Sequence, residues 1–182
     1  MDCCIHVFAE LSNLRSRDWA RHTDKAKLAV LSIFLFVETL MRTSARNHFS
    51  GQISAVKAGA VNDEVTLSAD GGLEIVAIIT HGSAASLGLA AGKPAFALVK
   101  ASSVILMVDG DASKVSTRNV VAGTVSSVTK GAVNAEVVLA APGGAQIAAI
   151  VTNDSVDRLG IAAGKPATAL FKASSVIVGV DG

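Results

Sequence analysis

The chain repeats itself. Ser44-Ala45-Arg46-Asn47 returns as Ser116-Thr117-Arg118-Asn119, and Lys100-Ala101-Ser102-Ser103 returns as Lys172-Ala173-Ser174-Ser175. Gly59-Ala60-Val61-Asn62 returns as Gly131-Ala132-Val133-Asn134. Each pair is 72 positions apart, and 40 of the 67 positions that align residues 44–110 with 116–182 are identical. A duplication in constant register restricts the fold to one small module built twice. A module of this size has a thin core, so the two are expected to pack on each other and on further chains. The organisation reads as an N-terminal extension over 1–43, modules over 44–110 and 116–182, and a short polar link from Asp111 to Val115.

Each module reads as β-rich. Ile53 to Lys57 forms one strand, and Val65, Leu67 and Ala69 alternate with Thr66 and Ser68 as a half-buried second. Asp70-Gly71-Gly72 is a hairpin turn, because glycine supplies the positive φ such turns need. Leu73 to Thr80 returns, apolar enough from Ile75 to Ile79 to predict burial on both faces. Ser83 to Leu87 makes a helical turn or two that ends at Gly88. Ala95 to Lys100 and Val104 to Val108 are the last two strands. Five strands with a short helix between the third and fourth is the order of an OB-fold. The expected class is therefore all-β, with two tandem OB-like five-stranded modules.

The extension differs in composition. All 16 glycines lie from Gly51 onward, whereas both cysteines, the one Trp and three of the six Phe precede residue 44. Its apolar run, Leu28 to Val37, is too short for a bilayer, which needs roughly 20 residues. It reads as helical or disordered. Met41 is taken as the natural start, with 1–40 an over-extended gene start. An amphipathic extension and a targeting signal are the other two readings. Cys3 and Cys4 are adjacent, so neither a disulfide framework nor a Cys-based zinc site is expected, and the compartment reads as a reducing cytoplasm.

The repeat also compares two sequences within one chain. His48 aligns with Val120 and His81 with Asn153, so no histidine is common to both modules. The shared basic residues are Arg46/Arg118, Lys93/Lys165 and Lys100/Lys172; the shared acids are Glu64/Glu136 and Asp109/Asp181. That set is poor equipment for acid–base or nucleophilic catalysis and for cation binding. It suits an anion, which needs charge, hydroxyls and backbone N–H groups. Thr80 and Ser83, with Thr152 and Ser155, open the predicted helices, where free N–H groups face outward. The plainer alternatives are a solvated turn for Lys93, helix caps for the Thr-x-x-Ser pairs, and a surface ion pair for Arg46.

These motifs, in this order and twice over, resemble the molybdate-binding Mop (TOBE-type) domain, and the tandem resembles the di-Mop molbindins. The resemblance covers 41–182. It implies OB-like modules, chains assembled as a homotrimer, and oxyanions held between modules. By resemblance, Ser44, Ala45, Arg46, Lys100, Ala101 and Ser102 line one half-site. Ser116, Thr117, Arg118, Lys172, Ala173 and Ser174 line the other. Thr80, Ser83, Thr152 and Ser155 complete them from across an interface. A second kind of site is framed by Gly59, Ala60, Val61 and Asn62 and by Gly131, Ala132, Val133 and Asn134. Two departures stand out. Thr117 replaces Ala, and Asp63 replaces Ala beside Asn62, adding a negative charge near a proposed anion site.

The expected function is binding of molybdate, and tungstate with it, for cytoplasmic storage or homeostasis without catalysis. The alternatives are the ligand-sensing module of a molybdate transporter or regulator, an OB-fold that binds nucleic acid, and a structural trimer without ligand. No Gly-rich phosphate loop is present, and 43 leading residues are few for a winged helix-turn-helix. A net charge of +1 and aromatic positions that the repeat does not keep argue against nucleic acid, and no membrane partner is expected.

Overall fold

A computed structural model describes residues 43–181. The readings made for the extension up to residue 42 lie outside the described residues. Among the described residues, ten strands and two short helices follow one another with the periodicity of the repeat. The first copy contributes β1 (Asn47–Lys57), β2 (Asn62–Ala69), β3 (Leu73–Thr80), α1 (His81–Ser86), β4 (Pro94–Val99) and β5 (Ile105–Met107). The second contributes β6 (Asn119–Lys130), β7 (Asn134–Ala140), β8 (Gln146–Thr152), α2 (Asn153–Arg158), β9 (Pro166–Phe171) and β10 (Val176–Gly179). β1 begins earlier than its apolar pattern suggested, at Asn47 rather than Ile53. α1 begins at His81, because Thr80 caps it by accepting from Ser83 N–H.

All pairings are antiparallel, and the fifth strands are exchanged. One sheet has the order β10-β4-β1-β2-β3 and the other β5-β9-β6-β7-β8. Val176 to Gly179 therefore pairs with Val99 to Phe96, and Ile105 to Met107 pairs with Leu170 to Thr168. The five-strand OB-like unit is complete only with a strand from the other copy. One apolar cluster runs through both, from Phe49, Ile53 and Val65 to Phe171, Val176 and Val178.

Packing at the exchanged edges is complementary rather than repeated. Gly179 lies opposite Phe96, and a Cβ on it would fall 2.2 Å from the Phe96 ring. At the equivalent place Met107 lies opposite Thr168. One edge thus sets a small strand residue against a large one, and the other the reverse.

Asn47 and Asn119, 1% and 2% exposed, bind the copies together. Asn119 Nδ2 donates to Val76 O at 2.8 Å while its Oδ1 accepts from Val76 N–H at 2.8 Å. Asn47 does the same with Ala148, at 2.9 and 2.7 Å. Each side-chain amide acts as one more peptide unit on an outer strand, β3 or β8. This satisfies backbone groups that the sheet leaves open. Because β3 is such an outer strand, burial on both of its faces is not achieved: Ile75 and Ala77 are buried, but Ile78 is 37% exposed.

Candidate functional site

The residues expected for the first half-site meet within the chain. Ser44, Ala45, Arg46, Lys100, Ala101 and Ser102 line one cleft of about 470 Å3, together with Thr43, Leu98, Ile150 and Ile177. Two local devices gather these residues. The approach to β1 carries Ser44 to Arg46 past the end of β4. After β4 the chain closes a single 3-10 turn over Ala101–Ser103, with Ser103 N–H donating to Lys100 O at 2.8 Å. That turn packs against β8 of the other copy, and Ile177 arrives on the exchanged β10. The cleft is a product of the strand exchange.

Its donors divide into spent and unspent. Among the described residues, the side chains of Ser44, Ser102 and Lys100 make no hydrogen bond or ion pair. The same holds for Ser116, Ser174 and Lys172 in the second copy. Both lysines are exposed at the start of their turns. The arginines are engaged. Arg46 Nε lies 2.8 Å from Glu136 Oε2, and Arg118 holds Glu64 through both terminal nitrogens, at 2.7 and 3.1 Å. The ion-pair reading of Arg46 is thus realised, and in each pair the acid comes from the opposite copy. Sequence reasoning counted Glu64 and Glu136 as shared acids but gave them no place; their joint retention with the arginines was the available signal.

In the second copy the turn Ala173–Ser175 packs on β3. Thr117 turns its hydroxyl away to donate to Phe171 O at 2.7 Å. The side chain that replaces Ala45 is therefore absorbed by the end of β9, and this position offers a site only its backbone.

Thr80, Ser83, Thr152 and Ser155 are not part of the cleft lining. They cap their own helices: Ser83 N–H donates to Thr80 Oγ1 at 3.2 Å and Ser155 N–H to Thr152 Oγ1 at 3.1 Å. The hydroxyls of each pair also meet, at 2.7 and 2.8 Å. Lys93 is no free turn residue. Its Nζ donates to Leu87 O at 2.6 Å and Gly88 O at 3.2 Å, a cation on the C-terminal carbonyls of α1.

The loops Gly59–Asn62 and Gly131–Asn134 stand at the surface, with Val61 and Val133 largely exposed. They are fastened differently. In the second, Gly131 N–H donates to Asn134 O at 2.8 Å and Asn153 Nδ2 to Gly131 O at 2.9 Å. In the first, Asp63 folds inward to 3% exposure and accepts from Gly59 N–H at 3.0 Å. His81 Nδ1 lies 3.0 Å from both carboxylate oxygens. The Gly59 N–H holds the Asp63 carboxyl below the usual carboxylate range. His81 acts in the same direction, and burial opposes both. The charge expected beside Asn62 is thus an internal fastening, paired with a histidine.

Among the described residues no three His, Cys, Asp or Glu side chains cluster as a metal site, and no helix is long and apolar enough to cross a membrane.

Two OB-like domains locked by exchanged strands, with unspent donors in a cleft at their junction, define a class of tandem small-β-module proteins. Within that class, the chain belongs to the TOBE-domain family: the TOBE domain matches residues 43–106 and again 115–178. The molybdenum transport protein ModE of Herbaspirillum seropedicae is 49% identical over 141 residues, which are 78% of this chain and 52% of that protein. The DNA-binding transcriptional dual regulator ModE of Escherichia coli (strain K12) is 31% identical over 176 residues, 96% of this chain and 66% of the regulator. The chain thus spans between about half and two-thirds of the length of these curated relatives. A crystal structure of the cytoplasmic molybdate-binding protein ModG with molybdate bound aligns at a TM-score of 0.74 and 50% identity, covering 77% of this chain and 99% of that one.

Proposed function

We propose that the chain binds molybdate, and tungstate by the same chemistry, for storage or homeostasis in the cytoplasm, and catalyses no reaction. The observation that carries this is the cleft's set of unspent donors. Lys100, Ser44 and Ser102 converge with Arg46 in one cleft and have no partners among the described residues. A tetrahedral dianion needs charge and hydrogen-bond donors, with no acid–base group. The likeness to molybdate-loaded ModG at 50% identity supports the same ligand. Ser116, Arg118, Lys172 and Ser174, with the backbone of Thr117 and Ala173, form the second half-site, and Ala45 and Ala101 give backbone to the first.

The cleft is several times larger than one small oxyanion and open on one side. Leu98, Ile150 and Ile177 give it an apolar wall, and Ile177 is 65% exposed. Ile105 repeats that exposure in the other copy. Further copies of the chain, as a homotrimer, would cover these faces and bring Thr80, Ser83, Thr152 and Ser155 to the clefts. The loops Gly59–Asn62 and Gly131–Asn134 are the place for a second kind of site.

Lys100→Ala combined with Lys172→Ala tests the reading. A hydrogen bond to a charged partner contributes roughly 1.5–3 kcal/mol, so molybdate should bind about 10- to 100-fold more weakly. The rise in melting temperature on adding molybdate should shrink accordingly. Native mass spectrometry of the wild-type protein with and without molybdate reads the oligomer and the anion count together. An undiminished thermal shift in the double variant would remove these lysines from the site.

A second reading is the sensing part of a regulator. The alignment to the E. coli regulator takes in 96% of the chain, so it reaches well upstream of residue 43. Molybdate binding is common to both readings.

A further inference from the structure

Among the described residues, Arg46 of the cleft and its repeat equivalent Arg118 have their charge already met, while Lys100 and Lys172 do not, and the arginines are met by the same acid in both copies. Glu64 and Glu136 are identical in a repeat where 27 of 67 positions differ. Each reaches across from the opposite copy, Glu136 to Arg46 and Glu64 to Arg118. Glu136 lies opposite Ile150 in the β7–β8 register, and Ile150 lines the cleft. The carboxylate is therefore next to two lining residues, Ile150 across the strand pair and Arg46 across the ion pair.

Holding the two modules together does not account for these pairs. The arginine side chains are more than half exposed, 56% and 54%, and the glutamates 35% and 26%, and ion pairs with one partner this open to solvent contribute modestly to stability. The exchanged strands and the Asn47 and Asn119 amides already lock the copies. Next to a site for a dianion, however, a carboxylate has a large effect, because its charge opposes that of the ligand. It also orients the guanidinium. Arg46 meets its glutamate through Nε, whereas Arg118 has both terminal nitrogens on Glu64. A fork with five N–H donors can serve a carboxylate on one edge and an oxyanion on the other.

We propose that Glu136 and Glu64 are positioning residues that hold the cleft arginines and lower the affinity of the clefts for oxyanions, so that bound anion can be released. This rests on the molybdate-binding reading. The test is Glu64→Gln combined with Glu136→Gln, against Glu64→Asp combined with Glu136→Asp, by calorimetric titration with molybdate and by thermal unfolding without it. The Gln variant keeps an acceptor of the same shape and loses the charge. It should bind molybdate about tenfold or more tightly than wild type, with the same stoichiometry and a slower release. The Asp variant keeps the charge and should stay near wild type. A Gln variant that binds no tighter than wild type, or Asp and Gln variants that shift affinity alike, would overturn the proposal. Binding of molybdate by none of the three proteins would instead overturn the function on which it rests.

Discussion

Asp63 and His81 show how one substitution is accommodated by another. At the same places the second module has Ala135 and Asn153, and there the loop is tied by neutral groups alone. A carboxylate enclosed in β2 is tolerated because Gly59 N–H and His81 Nδ1 both address it. Its pKa is lowered in the fold, so its contribution to stability is complete above the ordinary carboxylate value. That contribution is lost as pH falls through the folded pKa. Asp63→Ala with His81→Asn installs the second module's pair and removes this dependence. The gap in melting temperature between wild type and that variant should therefore stay constant from pH 6 to about pH 5 and narrow as the pH falls below the ordinary carboxylate value toward 3. Asp111, lowered by its bonds to Ser113, is present in both proteins and cancels. A gap that stays constant over the range would mean that the fold does not lower the Asp63 pKa. The sequence placed a negative charge beside Asn62 but not its direction, because side chains in a strand alternate faces and a bulge in β1 shifts the register opposite. Asn47 was similarly ambiguous: an amide offers the same groups to an anion as to a peptide edge, and only its burial decides between them.

The hairpin turns illustrate what was legible at the scale of elements. Asp70-Gly71-Gly72 reads as a turn from the sequence alone, and Gly71 and Gly72 both have φ near +80°. The sequence does not show that the two turns touch. A Cβ on Gly143 would fall 1.8 Å from Gly71 O, whereas one on Gly144 would meet nothing within 4 Å, and both have positive φ. Gly144→Ala should thus cost about 1–2 kcal/mol, from left-handed backbone strain alone. Gly143→Ala should cost about 1–3 kcal/mol more, from the clash. Denaturant unfolding of the two variants measures the difference, and equal losses would mean that the turns are not in contact. Alternation, turn glycines and the Thr-x-x-Ser caps were legible because they are set by neighbours within a few residues. The partner of β5 was not. Val104 to Leu106 and Val176 to Val178 have nearly the same apolar pattern, so either could complete either sheet. The cross-copy pairs Arg46–Glu136 and Arg118–Glu64 were hidden for the same reason, since they follow from the exchange.

For the whole molecule, the exchange raises the question of why the copies pair with each other and not each with itself. Separate peptides of residues 43–110 and 111–182 would each have four strands of a sheet and one strand to give away. Two first modules could exchange β5, but Met107 would then take the place of Gly179 against Phe96, where even a Cβ comes within 2.2 Å of the ring. Overpacking of that kind costs about 1–3 kcal/mol per site, eased somewhat by methionine's flexibility. Two second modules would set Gly179 against Thr168 in place of Met107, leaving a void where the thioether had packed. Voids of that size also cost on the order of 1 kcal/mol or more. The mixed pair has neither defect. The Asn47 and Asn119 amides and the Arg–Glu pairs occur in all three pairings and do not discriminate. Mixed after separate expression and refolded together, the two peptides should assemble mainly as a 1:1 pair, read by native mass spectrometry from their unequal masses. Homodimers as abundant as the mixed pair would show that Gly179, Phe96, Met107 and Thr168 do not select the partner, and that the link from Asp111 to Val115 alone keeps the copies together.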